Sequence, residues 1–258
     1  MANEKRNRQG SAKKDKEISF GHQVENQDRL SVIISVQQDE KTIRSLLRQV
    51  EKLIPKEIIL IIHGSQDRTI DRVLNSSGPA HVCYIYPFPL GQDLWRAIGA
   101  KEATGDVWLF LSGDTIIQAE ELVPFISACY RGVDVAMRKA AGSTARTGTV
   151  TLAKTYLNSL LAQDQLGVSS MSELPMAITE KAAASIGADL LFMPSLVLVL
   201  AIQKGLRIET VQMSQEAILG KKQLSVQESR AKEMTCLGDH LEAVVYWTEQ
   251  DKKENGGV

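Results

Sequence analysis

The fold is decided by residues 31–62, SVIISVQQDEKTIRSLLRQVEKLIPKEIILII. The stretch opens with a β-branched run at 31–36 and ends with another at 57–62. Such nearly continuous apolar runs are typical of strands buried on both faces of a sheet. Between them, apolar residues recur at the spacing of one helical face, at Ile43, Leu46, Leu47, Val50 and Leu53. A strand, a helix and a second strand in this order predict a parallel βαβ unit.

The alternation of strands and helices continues beyond this unit. Further strands are predicted at 81–86, 106–111 and 134–139, with helices at 67–75, 93–103 and 120–131. After residue 145 the pattern weakens, and the predicted elements are helices near 152–162, 180–186, 195–204 and 230–250 and a strand at 207–212. The fold class indicated is α/β: a single Rossmann-like domain with a mostly parallel central sheet flanked by helices.

Composition sets the two ends of the chain apart from its middle. Residues 1–28 carry many Lys, Arg, Asn, Gln and Glu side chains and almost no aliphatic ones, so they cannot bury enough apolar surface to order themselves. Residues 251–258 are similarly polar. We therefore expect a disordered basic and polar tail at 1–28, a folded domain at 29–250 and a second disordered tail at 251–258.

Charge and hydropathy limit the partners and the location. The formal net charge is −1, so no nucleic-acid partner is expected. No apolar signal segment opens the sequence, and the longest apolar run, 190–202, is interrupted by Pro194 and is shorter than the roughly 20 residues that a bilayer span needs. The three cysteines form no CxxC pair, as in reduced proteins. We expect a cytoplasmic protein; the basic tail and the apolar run are compatible with peripheral attachment to the inner membrane face and with a lipid-linked acceptor.

Three polar loops directly follow buried strands, at 37–40 (QQDE), 63–67 (HGSQD) and 112–115 (SGDT). Because the carboxyl ends of parallel strands meet at one edge of a sheet, these loops are expected to form a polar pocket. The first strand is not followed by GxGxxG, and the sequence contains no GxxxxGK[ST] and no GxSxG. The usual devices for dinucleotides, for P-loop phosphate transfer and for a serine hydrolase are therefore missing.

Four segments resemble family 2 glycosyltransferases. SVIISVQQDEKTI is similar to the first strand and its Pro-x-Tyr-Asn-Glu type loop, and EIILIIHGSQDRT to the second strand and its Asp-Asp-Gly-Ser-x-Asp-x-Thr loop. GQDLWRAIGAKEATGDVWLFLSGDTII resembles the stretch from a Gly-x-x-x-x-Arg-Ala helix to the metal-binding Asp-x-Asp, and LGDHLEAVVYW the end of small bacterial members. The resemblance implies a GT-A fold, a nucleotide-sugar donor such as a UDP- or GDP-sugar, and Mg²⁺ or Mn²⁺ as cofactor. It also implies a nucleotide-binding half at 29–140 and, at 141–250, an acceptor half with the terminal helix.

The resemblance also assigns roles to individual residues. By position, the donor would be bound by Gln38, Asp39, His63, Gly64, Ser65, Arg96, Ser112 and Gly113. Asp114 matches the last carboxylate of Asp-x-Asp and would hold the metal. Glu173 and Asp189 are the acids available as the base that takes the acceptor's proton. Structural alternatives stay open: Asp39 and Asp114 as helix or turn caps, and Arg96 as part of a solvated helix face.

The sequence departs from the family pattern at several of these positions. Ser112 stands where the family has the first Asp of Asp-x-Asp, and Ile62 and His63 occupy the Asp-Asp positions of the second loop. Pro194 lies in the segment where many relatives place an acidic base. Two hypotheses follow: a metal-assisted transfer of a sugar from a nucleotide donor to an unidentified acceptor, or a catalytically impaired nucleotide-sugar-binding or scaffold protein descended from this family.

Overall fold

Seven strands form the central sheet, and two shorter ones pair beside it. The structure, a computed structural model, describes residues 26–75, 81–140, 148–214 and 216–255. The sheet is built, in chain order, from β1 (Leu30–Val36), β2 (Glu57–His63), β3 (Val82–Tyr86), β4 (Val107–Ser112), β6 (Val135–Arg138), β7 (Met176–Thr179) and β8 (Ile208–Val211). The remaining strands, β5 (Thr115–Ile117) and β9 (Ile218–Lys221), form a separate antiparallel ribbon.

The strand order of the central sheet is β3-β2-β1-β4-β7-β6-β8. Strands β1 to β4 are mutually parallel, so the carboxyl ends of β1, β2 and β4 lie at one edge, as the sequence predicts. Strand β7 lies between β4 and β6 and is antiparallel to both. The expected α/β class with a mostly parallel central sheet is confirmed.

Helices cover both faces of the sheet. They are α1 (Ile43–Glu51), α2 (Thr69–Leu74), α3 (Leu94–Glu102), α4 (Ala119–Tyr130), α5 (Thr149–Leu160), α6 (Glu180–Ile186), α7 (Pro194–Gln203) and α8 (Val226–Asn255). Successive residues of a strand point to opposite faces. In β1, Ile34 packs with Leu46 and Phe125 on one face, while Ile33 packs with Trp95 on the other. Both cores are therefore built from the same apolar runs.

The apolar run 190–202 is part of the second core. Pro194 is the first residue of α7, where its missing N–H costs no hydrogen bond. Val197, Leu198 and Ala201 in this helix are fully buried. Among the described residues, no helix combines the length and the apolarity needed to cross a bilayer.

The structure describes part of each predicted tail. Residues 1–25 and 256–258 of the predicted tails lie outside the described residues. Residues 26–28 belong to a helical turn, in which Asn26 is buried and donates from Nδ2 to the Leu53 carbonyl over 2.7 Å. Residues 251–255 continue helix α8.

Candidate active site

An open cavity of about 650 Å³ lies at the carboxyl edge of the parallel strands. Its floor includes Ser35 at the end of β1, His63 at the end of β2 and Ser112 at the end of β4. Its other walls come from α3, from the loop before β7 and from the segment that joins β9 to α8. The three polar loops predicted from the sequence therefore meet at one site.

Asp114, which follows β4, is one of the acidic residues that line this cavity. Its Oδ1 accepts a 2.7 Å hydrogen bond from the Thr115 hydroxyl, and its Oδ2 lies 3.4 Å from Nζ of Lys232 on α8. Burial by itself would raise the pKa of the Asp114 carboxyl. The hydrogen bonds from Thr115 and Ser112 and the positive charges of Lys232 and Lys221 outweigh burial and hold this pKa below its ordinary value. Asp114 is therefore a carboxylate at neutral pH.

Asp39 is another acidic residue of the cavity, and its environment has the opposite effect on its pKa. The side chain is buried; Oδ2 accepts a 2.7 Å bond from the Gln37 N–H, while Oδ1 has no hydrogen-bond partner among the described residues. Burial, together with the negative charge of Asp114, raises the pKa of Asp39 to about 7. Near neutral pH this carboxyl is partly protonated and can either donate or accept a hydrogen bond.

Gly113 lets Asp39 approach the end of β4 closely. A Cβ atom at Gly113 would lie 2.6 Å from Asp39 Oδ2, closer than side chains can pack. Gly64 in the second loop has a φ of +58°, and a Cβ there would lie 2.8 Å from Pro89 Cγ. Both glycines shape the loops through their backbone, and neither lies on the cavity wall.

His63 lies on the cavity floor with both ring nitrogens bonded. The Leu90 N–H donates to Nδ1 over 3.3 Å, which leaves the proton on Nε2, and Nε2 lies 3.1 Å from the Ser35 hydroxyl. Burial lowers the pKa of His63, so the ring is neutral at physiological pH. The ring ties together β1, β2 and the loop before α3.

Arg96 lines the cavity, but its guanidinium is held by groups within the protein. The side chain is buried, and the terminal nitrogens donate to the carbonyls of Met171 at 2.9 Å and Ser172 at 3.2 Å. Nε forms an ion pair with Asp93 Oδ1 at 2.7 Å, without the geometry of a hydrogen bond. Arg96 therefore holds the loop that leads into Glu173, and it is not on a solvated helix face.

Of the two acids considered as bases, Glu173 lines the cavity and Asp189 does not. Oε1 of Glu173 lies 2.7 Å from Nζ of Lys154 on α5. Asp189 is exposed in the short 3₁₀ helix Ala188–Phe192. Gln38 and Ser65 also lie outside the cavity lining, where the Gln38 N–H donates to the Ser65 hydroxyl at 3.4 Å.

The sequence profile described as "Glycosyl transferase family 2" matches residues 31–187. The chain belongs to this family. The match includes the three strand-end loops and extends through β7 to the end of α6. The resemblance inferred from the sequence motifs is thereby confirmed.

Solved structures show that this family 2 chain has the GT-A fold. Glucosyl-3-phosphoglycerate synthase from Mycobacterium tuberculosis, solved with Mn²⁺, UDP and phosphoglyceric acid, superposes with a TM-score of 0.64 at 17% identity, covering 84% of this chain and 78% of that one. The same enzyme solved with Mn²⁺ and UDP-glucose gives a TM-score of 0.64 at 15% identity, covering 84% and 79%. A structure described only as a mycobacterial protein gives 0.67 at 18%, covering 86% and 76%. At these identities the likeness establishes the fold alone.

Curated relatives match only in part. "ATP synthase subunit alpha" from Limosilactobacillus reuteri (strain DSM 20016) is 27% identical over 157 residues, which cover 60% of this chain and 26% of that protein. The subunit of the same name from Limosilactobacillus fermentum is also 27% identical over 157 residues. The chain thus spans about a quarter of the length of these relatives, and the match carries no activity to it.

Sequence motifs give no indication of the basic residues in the cavity wall of this family 2 chain. Lys221, Lys222 and Lys232 line the cavity from β9 and α8, and Arg138 and Lys154 line it near Glu173. Arg138 lies near the end of the predicted strand at 134–139, but the other four follow no buried strand of the predicted βαβ pattern, so nothing in the local sequence connects those four with the strand-end loops. A small signal exists in the Lys-Lys pair 221–222, which follows a short apolar run.

Proposed function

We propose that the chain transfers a sugar from a nucleoside diphosphate sugar to an acceptor hydroxyl, with help from a divalent cation. One observation carries the proposal: the ionised Asp114 carboxylate faces the cavity at the end of β4, in a chain of this family. We further propose that the half at 29–140 binds the nucleotide and the half at 141–250 binds the acceptor.

The reaction exchanges one bond to the sugar for another. The bond between the anomeric carbon and the diphosphate oxygen breaks, and its electron pair stays on the diphosphate. The acceptor oxygen forms the new bond to the same carbon, and its proton passes to a base. The protein must therefore stabilise new negative charge at one end of the cavity and remove a proton at the other.

The oxygen ligands available at Asp114 fit a hard divalent cation that is held by few protein groups. Among the described residues, no three His, Cys, Asp or Glu side chains are grouped as a complete metal site. Magnesium, however, is commonly held by one or two carboxylates while substrate phosphates and water complete its shell. Asp114, with the Ser112 hydroxyl beside it, would hold the ion, which would supply Lewis-acid stabilisation of the departing phosphates.

Asp39 is suited to binding the polar part of the nucleotide. Asp39 lines the cavity, its buried Oδ1 has no hydrogen-bond partner among the described residues, and a pKa of about 7 allows the carboxyl to donate a hydrogen bond to, or accept one from, a ligand hydroxyl. His63 cannot bond a nucleobase through a ring nitrogen unless it gives up its bond to Leu90 or to Ser35.

Glu173 is the better placed base. It lies on the cavity wall, and its ion pair with Lys154 uses one carboxylate oxygen, Oε1. The loop that carries it is held by Arg96 on one side and by the buried His240 on the other, whose Nε2 lies 3.0 Å from the Ser170 hydroxyl. A base held in this way stays at a fixed distance from the sugar donor.

The test is a thermal-shift panel of UDP-, GDP-, dTDP- and CDP-sugars with and without Mn²⁺, followed by donor hydrolysis with the best ligand. The structures solved with UDP or UDP-glucose and Mn²⁺ make UDP-glucose the first donor to try. We expect hydrolysis to fall at least 10²-fold in Asp114→Asn and to be unchanged in Asp71→Asn, an exposed aspartate on α2. Equal hydrolysis in wild type and Asp114→Asn would overturn the proposal.

A second candidate is a nucleotide-sugar-binding protein without transfer. It is favoured by the single carboxylate at the metal position and by the bonded ring nitrogens of His63. Tight donor binding that does not respond to Mn²⁺, with no hydrolysis of any donor over days, would support this candidate.

A further inference from the structure

The segment that joins β9 to α8 closes one side of the cavity and carries three lysines. We call residues 218–236 the closing segment. It begins with β9, which pairs with β5 directly after Asp114, and it ends in the first turns of α8. Lys221, Lys222 and Lys232 all line the cavity. The ribbon thus brings a part of the chain that is distant in sequence to the carboxylate at the end of β4.

Main-chain and side-chain contacts fix this segment at Asp114. The Lys222 N–H donates to the Asp114 carbonyl over 2.7 Å, and Lys222 Nζ donates to the Gln37 carbonyl over 3.3 Å. Lys232 Nζ lies 3.4 Å from Asp114 Oδ2. The side chains of Lys222 and Lys232 therefore reach the first and the third strand-end loops.

Charged side chains of both signs line this side of the cavity. Lys221 and Lys232 lie close enough to interact with the Asp114 carboxylate, and Lys222 close enough to interact with Asp39. Glu228 and Glu233 of α8 also line the cavity, and Glu228 is fully exposed to solvent at its rim. Ser112 brings no charge where the family pattern has a second carboxylate. At the end of β4 itself, the lysines therefore meet a single carboxylate, Asp114, where the family pattern has two.

A diphosphate is the ligand that this arrangement suits. Ammonium groups bind phosphate oxygens through short charge-assisted hydrogen bonds. The Lys232 contact with Asp114 is long and half exposed, with 51% of the lysine side chain accessible, so little is lost when the ammonium turns to a phosphate. Lysines would also stabilise the electron pair left on the diphosphate oxygen after the glycosidic bond breaks.

We infer that Lys221, Lys222 and Lys232 bind the donor's diphosphate directly, so that the chain holds a nucleoside diphosphate even without a divalent cation. The inference rests on the proposed function, since it concerns the same cavity and the same donor. It adds donor-binding residues from the closing segment, which belongs to the half otherwise proposed for the acceptor, and the family motifs do not contain these residues.

The experiment measures binding of inorganic pyrophosphate and of UDP by calorimetry in excess EDTA, and again in Mn²⁺. Both ligands are expected to bind wild type in EDTA, with affinity that falls as salt is raised. Lys232→Met should weaken both at least tenfold, and Lys232→Arg should restore part of the loss. Lys181→Met, an exposed lysine on α6, is the matched control and should bind as wild type does. Circular dichroism confirms that each variant is folded.

The outcomes separate this inference from the proposed function. Binding of UDP only in Mn²⁺, or equal affinity in wild type and Lys232→Met, overturns the lysine inference and leaves sugar transfer standing. Pyrophosphate binding that depends on Lys232, with UDP binding no more tightly than pyrophosphate, supports the lysines and counts against nucleotide recognition. If neither ligand binds with or without Mn²⁺, both fail.

Discussion

At the scale of a residue, Asp39 makes the stability of the protein depend on pH. Its folded pKa of about 7 lies above the ordinary 3.8, so between these values the folded state binds a proton that the unfolded state has lost. Stability from this group is therefore present at low pH and is lost as pH rises toward 7. Asp39→Asn does not titrate. The unfolding free energy of the variant relative to wild type should rise by roughly 1.4 kcal/mol per pH unit between about pH 4.5 and 6.5.

Urea unfolding at several pH values checks this prediction. The amide in Asp39→Asn keeps an oxygen for the Gln37 N–H, so the fold itself should be preserved. Asp71→Asn, on an exposed turn of α2, should follow the wild-type pH profile. A constant difference between Asp39→Asn and wild type across this range would show that Asp39 is ionised in the folded protein at acid pH.

Glu173 gives a second prediction at this scale. If it takes the proton of the attacking hydroxyl, Glu173→Gln should lower donor hydrolysis by about 10² to 10⁴ and leave the dissociation constant of UDP unchanged. Asp189→Asn is the natural control, because Asp189 is exposed and lies away from the cavity. A parallel loss of UDP affinity in Glu173→Gln would mean that Glu173 positions the donor and does not act as the base.

At the scale of an element, two helical glycines differ in what surrounds them. Gly99 on α3 faces β1, and a Cβ there would lie 2.2 Å from Ile33 Cγ2, so the helix lies against the sheet at a distance that only glycine permits. Gly238 on α8 has no atom of the described residues, other than those of its own neighbouring helix backbone, within 4 Å of the position that a Cβ would take. Gly99→Ala should destabilise the protein by about 1–3 kcal/mol through overpacking. Gly238→Ala should stabilise it by about 0.5–1 kcal/mol through helix propensity.

Both variants make the same chemical change, from Gly to Ala, and thermal unfolding measures its effect on stability at each position. Opposite shifts of the melting temperature are expected, downward for Gly99→Ala and upward for Gly238→Ala. An unchanged melting temperature in Gly99→Ala would mean that α3 can move away from Ile33 at little cost, and the close contact would then not hold the helix in place.

The elements that the sequence predicts and those it misses differ in what stabilises them. Strands β1, β2 and β4 are long apolar runs buried on both faces, so their own composition identifies them. Strand β7 has four residues, and the antiparallel ladders to β4 and β6 on its two sides define it. Strands β5 and β9 form a ribbon between segments about a hundred residues apart. Such partners are set by the tertiary fold and leave no local pattern.

The same distinction applies to the site. The loops with Asp39, His63 and Ser112 are predictable because each follows a recognisable strand, and they do meet at one edge. Lys232 is not predictable, because it lies in the middle of a polar helical stretch whose position depends on the β5–β9 ribbon. The sequence places Arg96 either at a phosphate or in solvent, whereas its buried donors hold the loop before Glu173. The carbonyls that accept from Arg96 lie about 75 residues away along the chain, and the spacing of residues in the sequence does not reveal such partners.

At the scale of the whole molecule, the two proposed halves are interleaved in one sheet. Strand β7, from the half at 141–250, pairs with β4 on one side and with β6 on the other, both from the half at 29–140. Unfolding should therefore be a single transition. In Trp247→Phe, the remaining tryptophans are the buried Trp95 and Trp108, so fluorescence reports on the half at 29–140. Far-UV circular dichroism reports on the helices of both halves. The two urea curves should coincide, and fragment 26–140 should show no cooperative transition. Two separated midpoints would mean that β7 can leave the sheet while β1 to β4 stay folded.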